Sequence, residues 1–176
     1  MIVEKKDGTL WMLTRTFDGI GESFSNDDGR TWTPGRKSHI DGPCSRFHIR
    51  RLKSGRLLMI NHYQFDQRID LDDIMHQGNV KSWKGRSHLT ALLSEDDGKT
   101  WPYTLLLDER NEVSYPDAKE AADGYIYVSY DWERVTQREI LMARFTEDDI
   151  LNGKISSSKG KLRILVNKAT GQPDIH

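Results

Sequence analysis

The sequence has almost no cysteine, no long apolar run and no excess of either charge. Its one cysteine, Cys44, excludes an internal disulfide framework. No apolar stretch approaches the ~20 residues that a membrane-spanning helix needs. The 26 Lys and Arg residues nearly balance the 27 Asp and Glu residues, and the net charge is −1. This balance predicts neither a nucleic-acid partner nor a membrane-binding surface.

Long helical patterns are also scarce, and the apolar residues fall in short runs rich in β-branched and aromatic side chains. Asp-Gly and Ser-Gly turn signals bound most of these runs. One stretch, residues 146–154, has the cap and charge pattern of a short helix. The runs predict strands at residues 10–16, 46–52, 56–63, 88–93, 125–132 and 139–145, and therefore an all-β chain.

A box of the form S-x-D-D-G-x-T-W occurs twice, as SNDDGRTW at residues 25–32 and as SEDDGKTW at residues 94–101. The pattern suits a tight hairpin, because the first Asp can accept backbone N–H bonds and Gly can adopt a positive φ. The hydroxyl groups can bridge the turn, and Trp can fill space between neighbouring sheets. A structural role is therefore predicted for Ser25, Asp27, Gly29, Thr31 and Trp32, and for Ser94, Asp96, Gly98, Thr100 and Trp101.

The sequence predicts no metal and no other cofactor. A calcium loop of the EF-hand type needs a later Glu ligand, and neither box continues with one. His48, His62 and His88 lack the close spacing of zinc ligands.

A second repeat interleaves with the boxes: a turn ending in Gly precedes an apolar strand at residues 7–13, 54–60 and 123–129. Together the repeats predict four-stranded units at about 1–36, 43–107 and 113–145, with a closing strand in the tail at 155–170. A polar insert in the second unit, residues 64–85, is expected to be a mobile or partly helical loop. Tandem four-stranded units are typical of a β-propeller.

The two boxes resemble the Asp-boxes of the sialidase (neuraminidase) family, whose repeats are also called BNR repeats. The resemblance implies a propeller with about six blades in the complete protein. This chain would supply about three blades, the C-terminal half of the catalytic propeller. Missing N-terminal blades, or self-association, would then cover the open edge.

The resemblance also implies an activity, the exo-acting release of terminal sialic acid with retention of configuration. Arg15 and Arg86 occupy the places of the family's second and third arginines, which clamp the carboxylate of a sialylated or other acidic glycan. Tyr115 occupies the place of the tyrosine nucleophile, and Asp117 keeps the acidic position that follows it. The serine that the family carries between them is Pro116 here.

The same resemblance implies that the site is incomplete. The family's first arginine and its acid/base aspartate belong to earlier blades, and the glutamate partner of the tyrosine would fall just before Met1. The chain alone is therefore expected to be inactive. Sialidases of this type are often secreted or periplasmic, although the sequence itself leaves the compartment undecided.

Further polar residues are candidates for the pocket. Arg46 and His48 alternate, so their side chains point to one face of a strand, and His62 ends the next strand. They would bind substrate if that face lines the central funnel, or would be satisfied structural residues if it does not. Asp131 and Glu133 could hold an arginine in place or could be hairpin charges.

Each of the main candidate residues also has an ordinary structural interpretation. Arg15 could be a surface cation, Arg86 could pair with a loop acid, and Tyr115 could be a half-buried strand aromatic. Two other functions also stay open: a non-catalytic carbohydrate-binding propeller, and a propeller hydrolase or lyase that acts on another acidic sugar, such as a uronate.

Overall fold

The computed structural model describes residues 1–64 and 85–171, which form three antiparallel four-stranded sheets and one short helix. The first sheet contains β1 (Ile2–Glu4), β2 (Leu10–Thr16), β3 (Gly19–Ser25) and β4 (Arg36–Lys37), in that spatial order. The second contains β5 (His48–Arg51), β6 (Leu57–His62), β7 (Leu89–Ser94) and β8 (Tyr103–Asp108), also in order. The third has the order β12-β11-β10-β9, with β9 (Val113–Glu120), β10 (Ile126–Trp132), β11 (Glu139–Phe145) and β12 (Lys161–Lys168). The helix α1 (Glu147–Leu151) lies between β11 and β12.

The prediction of an all-β partial propeller is confirmed, since each sheet has the size and meander of a propeller blade. The six apolar runs predicted as strands coincide with β2, β5, β6, β7, β10 and β11. The predicted polar insert at 64–85, apart from its two end residues, lies outside the described residues.

The second sheet is buried on both faces, because every residue of β6 and β7 is buried. Successive side chains of a strand point to opposite faces. Leu57 and Met59 accordingly join the apolar cluster of the first sheet, whereas Leu58 and Ile60 join the cluster of the third sheet. The second sheet is thus packed between the other two, and full burial of each such side chain contributes roughly 1.5–3 kcal/mol.

The first box forms the turn between β3 and β4. The Asp27 carboxylate accepts hydrogen bonds from the Thr31 amide at 2.8 Å, the Thr31 hydroxyl at 2.6 Å and the Ser25 hydroxyl at 2.8 Å. The Trp32 indole N–H donates to the Gly29 carbonyl at 3.1 Å. These bonds are all local, so the box closes its own turn.

The second box forms the turn between β7 and β8 and repeats the three hydrogen bonds to its first Asp, but not the indole bond of Trp32. Asp96 accepts from the Thr100 amide at 2.9 Å, the Thr100 hydroxyl at 2.7 Å and the Ser94 hydroxyl at 2.8 Å. The bonds from Thr100 hold the pKa of Asp96 at about 2. Trp101 packs against the apolar cluster shared by the first and second sheets.

The glycines of the two boxes share one backbone conformation but have different neighbours. Gly29 and Gly98 both have φ of 82°. A Cβ at position 98 would lie 2.8 Å from Cη2 of Trp11, a fully buried side chain, whereas the nearest atom at position 29 would be a Leu10 methyl at 3.5 Å. Trp11 is itself fixed by its indole hydrogen bond to Glu22 at 3.1 Å. The second box therefore abuts the first sheet directly.

The strand β12 is anchored by a buried carboxylate. Thr146 caps α1, and Asp149 closes the capping box. Asp149 also accepts bonds from the Ser156 amide at 2.7 Å and the Ser157 amide at 2.9 Å. The Ser157 hydroxyl donates to Asp149 as well, and these bonds outweigh the effect of burial and hold the pKa of Asp149 well below its usual range. They also fix the chain leading into β12.

Gly98→Ala is expected to lower the free energy of unfolding by about 2–4 kcal/mol, because it adds a clash with Trp11 to the cost of a positive φ. Gly29→Ala is the matched control, with the same φ and box position but only ordinary contacts, and is expected to cost about 1–2 kcal/mol. Urea unfolding of the two variants measures the difference. Equal losses would contradict the packing of the second box on Trp11.

Candidate functional site

The candidate site lies where the three sheets meet around Tyr115. Arg15 comes from β2, Arg86 directly precedes β7, and Tyr115 lies in β9. The Arg15 guanidinium donates a hydrogen bond from Nη1 to the Tyr115 hydroxyl at 3.3 Å. Cζ of Arg86 lies 5.7 Å from the centroid of the Tyr115 ring. Predicted residues from the first sheet, from the segment leading into β7 of the second sheet, and from the third sheet are thus brought to the same place.

A β-bulge in β9 determines how Tyr115 leaves its strand. Tyr115 and Pro116 together oppose a single residue of β10, Tyr130. Tyr115 has φ of +56°, in the left-handed region, which costs a non-glycine residue on the order of 1–3 kcal/mol. Bulges re-aim side chains and are common beside active sites. The bulge also accommodates Pro116, which has no N–H to give to the ladder.

A third cation, Arg134, completes the surroundings of Tyr115 and was not among the predicted residues. It lies in the turn between β10 and β11, and its Cζ is 4.1 Å from the Tyr115 ring centroid. Asp131 accepts from Arg134 Nε at 2.9 Å and from Ser114 Oγ at 2.6 Å. Asp131 thus holds an arginine, one of the two roles that the sequence left open for it. Its position three residues before Arg134 is the signal that could have identified the pair.

The arginines make the surroundings of Tyr115 electropositive. The hydrogen bond from Arg15 and then the nearby Arg134 guanidinium lower the pKa of the Tyr115 hydroxyl. Burial lowers the pKa of the Arg86 guanidinium, whose Nη2 donates to the Cys44 carbonyl at 3.2 Å. An anionic group is therefore favoured beside Tyr115, whether it is the phenolate or a bound carboxylate.

A second group of predicted residues gathers on Asp117. His48 Nδ1 lies 2.9 Å from one Asp117 carboxylate oxygen, and Arg46 Nη2 lies 3.9 Å from the other. The Asp117 side chain is 61% exposed and is therefore accessible to a ligand. Burial lowers the pKa of His48, and Asp117 opposes this effect.

A cleft of about 370 Å³ is lined by Arg15 and Tyr115 of the first group and by Arg46 of the second. Arg15, Arg46 and Tyr115 lie in its wall, and Leu13 and Phe47 supply apolar surface. The cleft therefore combines two guanidinium groups and a phenol with an apolar face, which is the composition of a pocket for a polar small molecule.

His62 is not brought to this cleft. It is fully buried, with Nδ1 2.9 Å from the Ser87 carbonyl and Nε2 3.1 Å from the Ser45 hydroxyl. It borders a separate cavity of about 310 Å³, together with residues such as Asn61 and Trp101. Burial lowers the pKa of His62 to about 4.

Within residues 1–64 and 85–171 there is no group of three or more His, Cys, Asp or Glu side chains that could hold a metal ion. Over the same ranges, no helix is long and apolar enough to cross a membrane.

Comparison with known proteins identifies the family. The family model described as the BNR repeat-like domain matches residues 1–128, which is more than half of the chain. The chain belongs to the BNR repeat-like domain family. This confirms the resemblance predicted from the two boxes. The matched region of this BNR repeat-like chain includes Arg15, Arg86 and Tyr115, whereas Arg134 lies beyond it.

One solved structure similar to this BNR repeat-like chain is described as "Hadza microbial sialidase Hz136". It is 17% identical, and the match covers 92% of this chain and 34% of that one, with a TM-score of 0.45. The chain thus spans about a third of the length of that structure. No curated protein matches the sequence.

The stability of this BNR repeat-like chain is expected to fall as the pH decreases from about 6.5 to about 4. The pKa of His62 is depressed in the folded state, so the unfolded chain binds more protons in this window. Neutral His62 makes its full contribution to the free energy of unfolding above the ordinary histidine pKa of about 6.5. Lowering the pH to about 4 removes on the order of 3 kcal/mol of that contribution. His48, whose pKa is also lowered, contributes in the same direction.

Urea unfolding at a series of pH values measures this loss. A His62→Gln variant is expected to show a smaller fall, whereas His39→Gln, a change at an exposed histidine, is expected to keep it. An unchanged pH dependence in His62→Gln would contradict the assignment.

Proposed function

We propose that this chain is part of an exo-acting, sialidase-like glycoside hydrolase, to which it contributes the tyrosine nucleophile and two arginines that bind the substrate carboxylate. The observation that supports the proposal best is the meeting of Arg15, Arg86 and Tyr115, each from a different sheet, with the Arg15 hydrogen bond on the Tyr115 hydroxyl. Membership of the BNR repeat-like family is consistent with this function but does not establish it.

The two arginines suit a sugar that carries its carboxylate at the anomeric carbon. A guanidinium group offers planar, charged donors that match both oxygens of a carboxylate. Among the described residues, no carboxylate pairs with Arg15, so its remaining donors are available to a ligand. Because Arg15 already contacts Tyr115, a carboxylate bound by Arg15 would lie next to the phenol oxygen.

A phenol is a suitable nucleophile for such a substrate. A carboxylate nucleophile would be repelled by the carboxylate of the sugar, whereas a neutral tyrosine avoids this repulsion, and sialidases are the known exception to the two-carboxylate scheme. The positive charges around Tyr115 favour development of negative charge on its oxygen during attack.

In the first step, the bond between the anomeric carbon and the aglycone oxygen breaks, and its electron pair leaves with the aglycone. The aglycone oxygen takes a proton from a carboxylic acid. Tyr115 Oη forms the new bond to the anomeric carbon, and the phenol proton passes to a carboxylate base. The family resemblance assigns these two carboxyl groups to an aspartate and a glutamate of other blades.

In the second step, water attacks the anomeric carbon and gives a proton to the carboxylate that served as acid. The electron pair of the sugar–tyrosine bond returns to Tyr115 Oη, which regains its proton from the base. The sugar is released with its configuration retained. Because both carboxyl groups would come from other blades, we propose that this chain alone binds the sugar without turning it over.

Asp117 is proposed to bind the hydroxyl groups of the sugar. Its carboxylate is exposed and lies beside His48 and Arg46, and Arg46 lines the cleft. An exposed carboxylate accepts hydrogen bonds from sugar hydroxyl groups, and the apolar surface of Phe47 would contact less polar parts of the ligand.

Binding of sialic acid to this chain tests the carboxylate clamp formed by Arg15 and Arg86. Titration calorimetry is expected to show a dissociation constant in the micromolar to millimolar range. Arg15→Met is expected to weaken binding by about tenfold or more, because a charge-assisted hydrogen bond is lost. Arg30→Met, which removes an exposed arginine of the first box, is the control and is expected to bind normally. Equal affinity in Arg15→Met and Arg30→Met would contradict the clamp.

Turnover tests the nucleophile. In the protein with all its blades, Tyr115→Phe is expected to reduce kcat with a fluorogenic sialoside about a thousandfold or more, since the attacking oxygen is removed. Tyr127→Phe, a change on β10 outside the cleft, is the control. Full turnover by Tyr115→Phe would remove Tyr115 from the mechanism.

A second candidate function is a non-catalytic propeller that binds acidic sugars. Pro116 replaces the family's serine beside the proposed nucleophile, and this departure from the family pattern favours a protein without catalysis. The arginines would still bind a carboxylate in such a protein. Binding of sialic acid by a complete protein that cleaves neither sialosides nor uronosides would support this alternative. Cleavage of uronosides alone would indicate a hydrolase or lyase for a different acidic sugar.

A further inference from the structure

We infer that Arg134 is a positioning residue for Tyr115, which holds the phenol ring in place and stabilises negative charge on its oxygen. The part of this inference that concerns the reaction rests on the proposed function, whereas the effect on the tyrosine itself does not. Arg134 lies outside the region matched by the family model, and neither the boxes nor the predicted site included it.

The contact between the two side chains carries the inference. Cζ of Arg134 lies 4.1 Å from the centroid of the Tyr115 ring, closer than the 5.7 Å of Arg86. An arginine at this distance from an aromatic face is attracted to the electron-rich ring. Arg15 contacts the same residue at a different point, through the Tyr115 hydroxyl at 3.3 Å.

Arg134 is fixed from behind by a carboxylate. Asp131 accepts from both Nε and Nη2 of Arg134, and Ser114 Oγ bonds to the other oxygen of the same carboxylate. The Asp131 side chain is 13% exposed, whereas that of Arg134 is 52% exposed. Because Asp131 already takes the Nε and Nη2 donors of Arg134, this arginine is less suited than Arg15 to clamp a substrate carboxylate.

The backbone of Tyr115 explains why a positioning residue is useful. The bulge places Tyr115 at a left-handed φ on the edge strand of its sheet, and its side chain is only half-buried. The bulge therefore directs the side chain toward the cleft, and Arg134 restricts the ring once it is there. A nucleophile held in one orientation reacts faster than one that samples several.

The charged groups around Tyr115 determine the electrostatic effect. Arg15 faces it from β2, Arg86 from the segment before β7, and Arg134 from the β10–β11 turn with Asp131 behind it. The pKa of the Tyr115 hydroxyl is lowered first by the Arg15 hydrogen bond and then by the positively charged Arg134 guanidinium over the ring. Loss of Arg134 removes one of these two stabilising contacts.

Ultraviolet titration of tyrosine ionisation tests this effect in the present chain, without any need for turnover. Subtracting the curve of Tyr115→Phe from that of the unmodified chain isolates Tyr115, whose midpoint is expected below the ordinary tyrosine value of about 10. In Arg134→Met the midpoint is expected to rise toward that value. Arg30→Met, which also removes one positive charge, is the control and is expected to leave the midpoint unchanged.

Arg134→Lys keeps the charge but loses the planar stacking and the second donor to Asp131. Its midpoint is expected between those of the unmodified chain and Arg134→Met, and it provides the test if Arg134→Met does not fold. Midpoints in Arg134→Met and Arg134→Lys that equal that of the unmodified chain would overturn the inference.

Measurements of sugar binding and of turnover then show whether Arg134 positions Tyr115 or binds the substrate carboxylate. Arg134→Met is expected to change the affinity for sialic acid less than twofold, whereas kcat of the protein with all its blades falls at least tenfold. A loss of affinity as large as that of Arg15→Met would overturn the inference and make Arg134 part of the clamp. If the Tyr115 midpoint shifts as expected but no sialoside is cleaved, the proposed function fails while the electrostatic role of Arg134 stands.

Discussion

The stability of the second sheet depends on the burial of both of its faces by neighbouring sheets. The arrangement of the rest of the structure follows from this constraint. Its central strands alternate between two apolar faces, with Leu57 and Met59 on one and Leu58 and Ile60 on the other. Neither face can be exposed to water without losing most of the burial that stabilises it. The first sheet packs on one face and the third sheet packs on the other. The second box adds to the contact with the first sheet, because Gly98 packs against Trp11.

The candidate site is a consequence of this packing and not of any single strand. Arg15, Arg86 and Tyr115 come from three sheets, and they meet only because the second sheet spaces the other two. Local features then refine the arrangement, since the bulge redirects Tyr115 and Asp131 fixes Arg134. The same chain thus separates two tasks: apolar alternation builds the blades, and irregular segments at their ends carry the polar groups.

The strands and boxes could be predicted because their signals are local: alternation, Gly turns and a repeated hairpin motif. Arg15, Arg86 and Tyr115 were identified through family resemblance, which supplies the long-range information that spacing alone lacks. The bulge could not be predicted, because it depends on the register between β9 and β10. Arg134 could not be predicted, because its approach to Tyr115 depends on how the turn between β10 and β11 folds back. The sequence left open whether His62 lines the funnel or is a satisfied structural residue, and the structure buries it between Ser87 and Ser45.

The central claim is that three stacked sheets build one carboxylate-binding site beside Tyr115. A crystal structure of the chain with sialic acid tests it most directly. The account predicts that the sugar carboxylate lies within hydrogen-bonding distance of the Arg15 and Arg86 guanidinium groups, with the anomeric carbon next to Tyr115 Oη. A sugar bound elsewhere, with its carboxylate away from both arginines, would contradict the account.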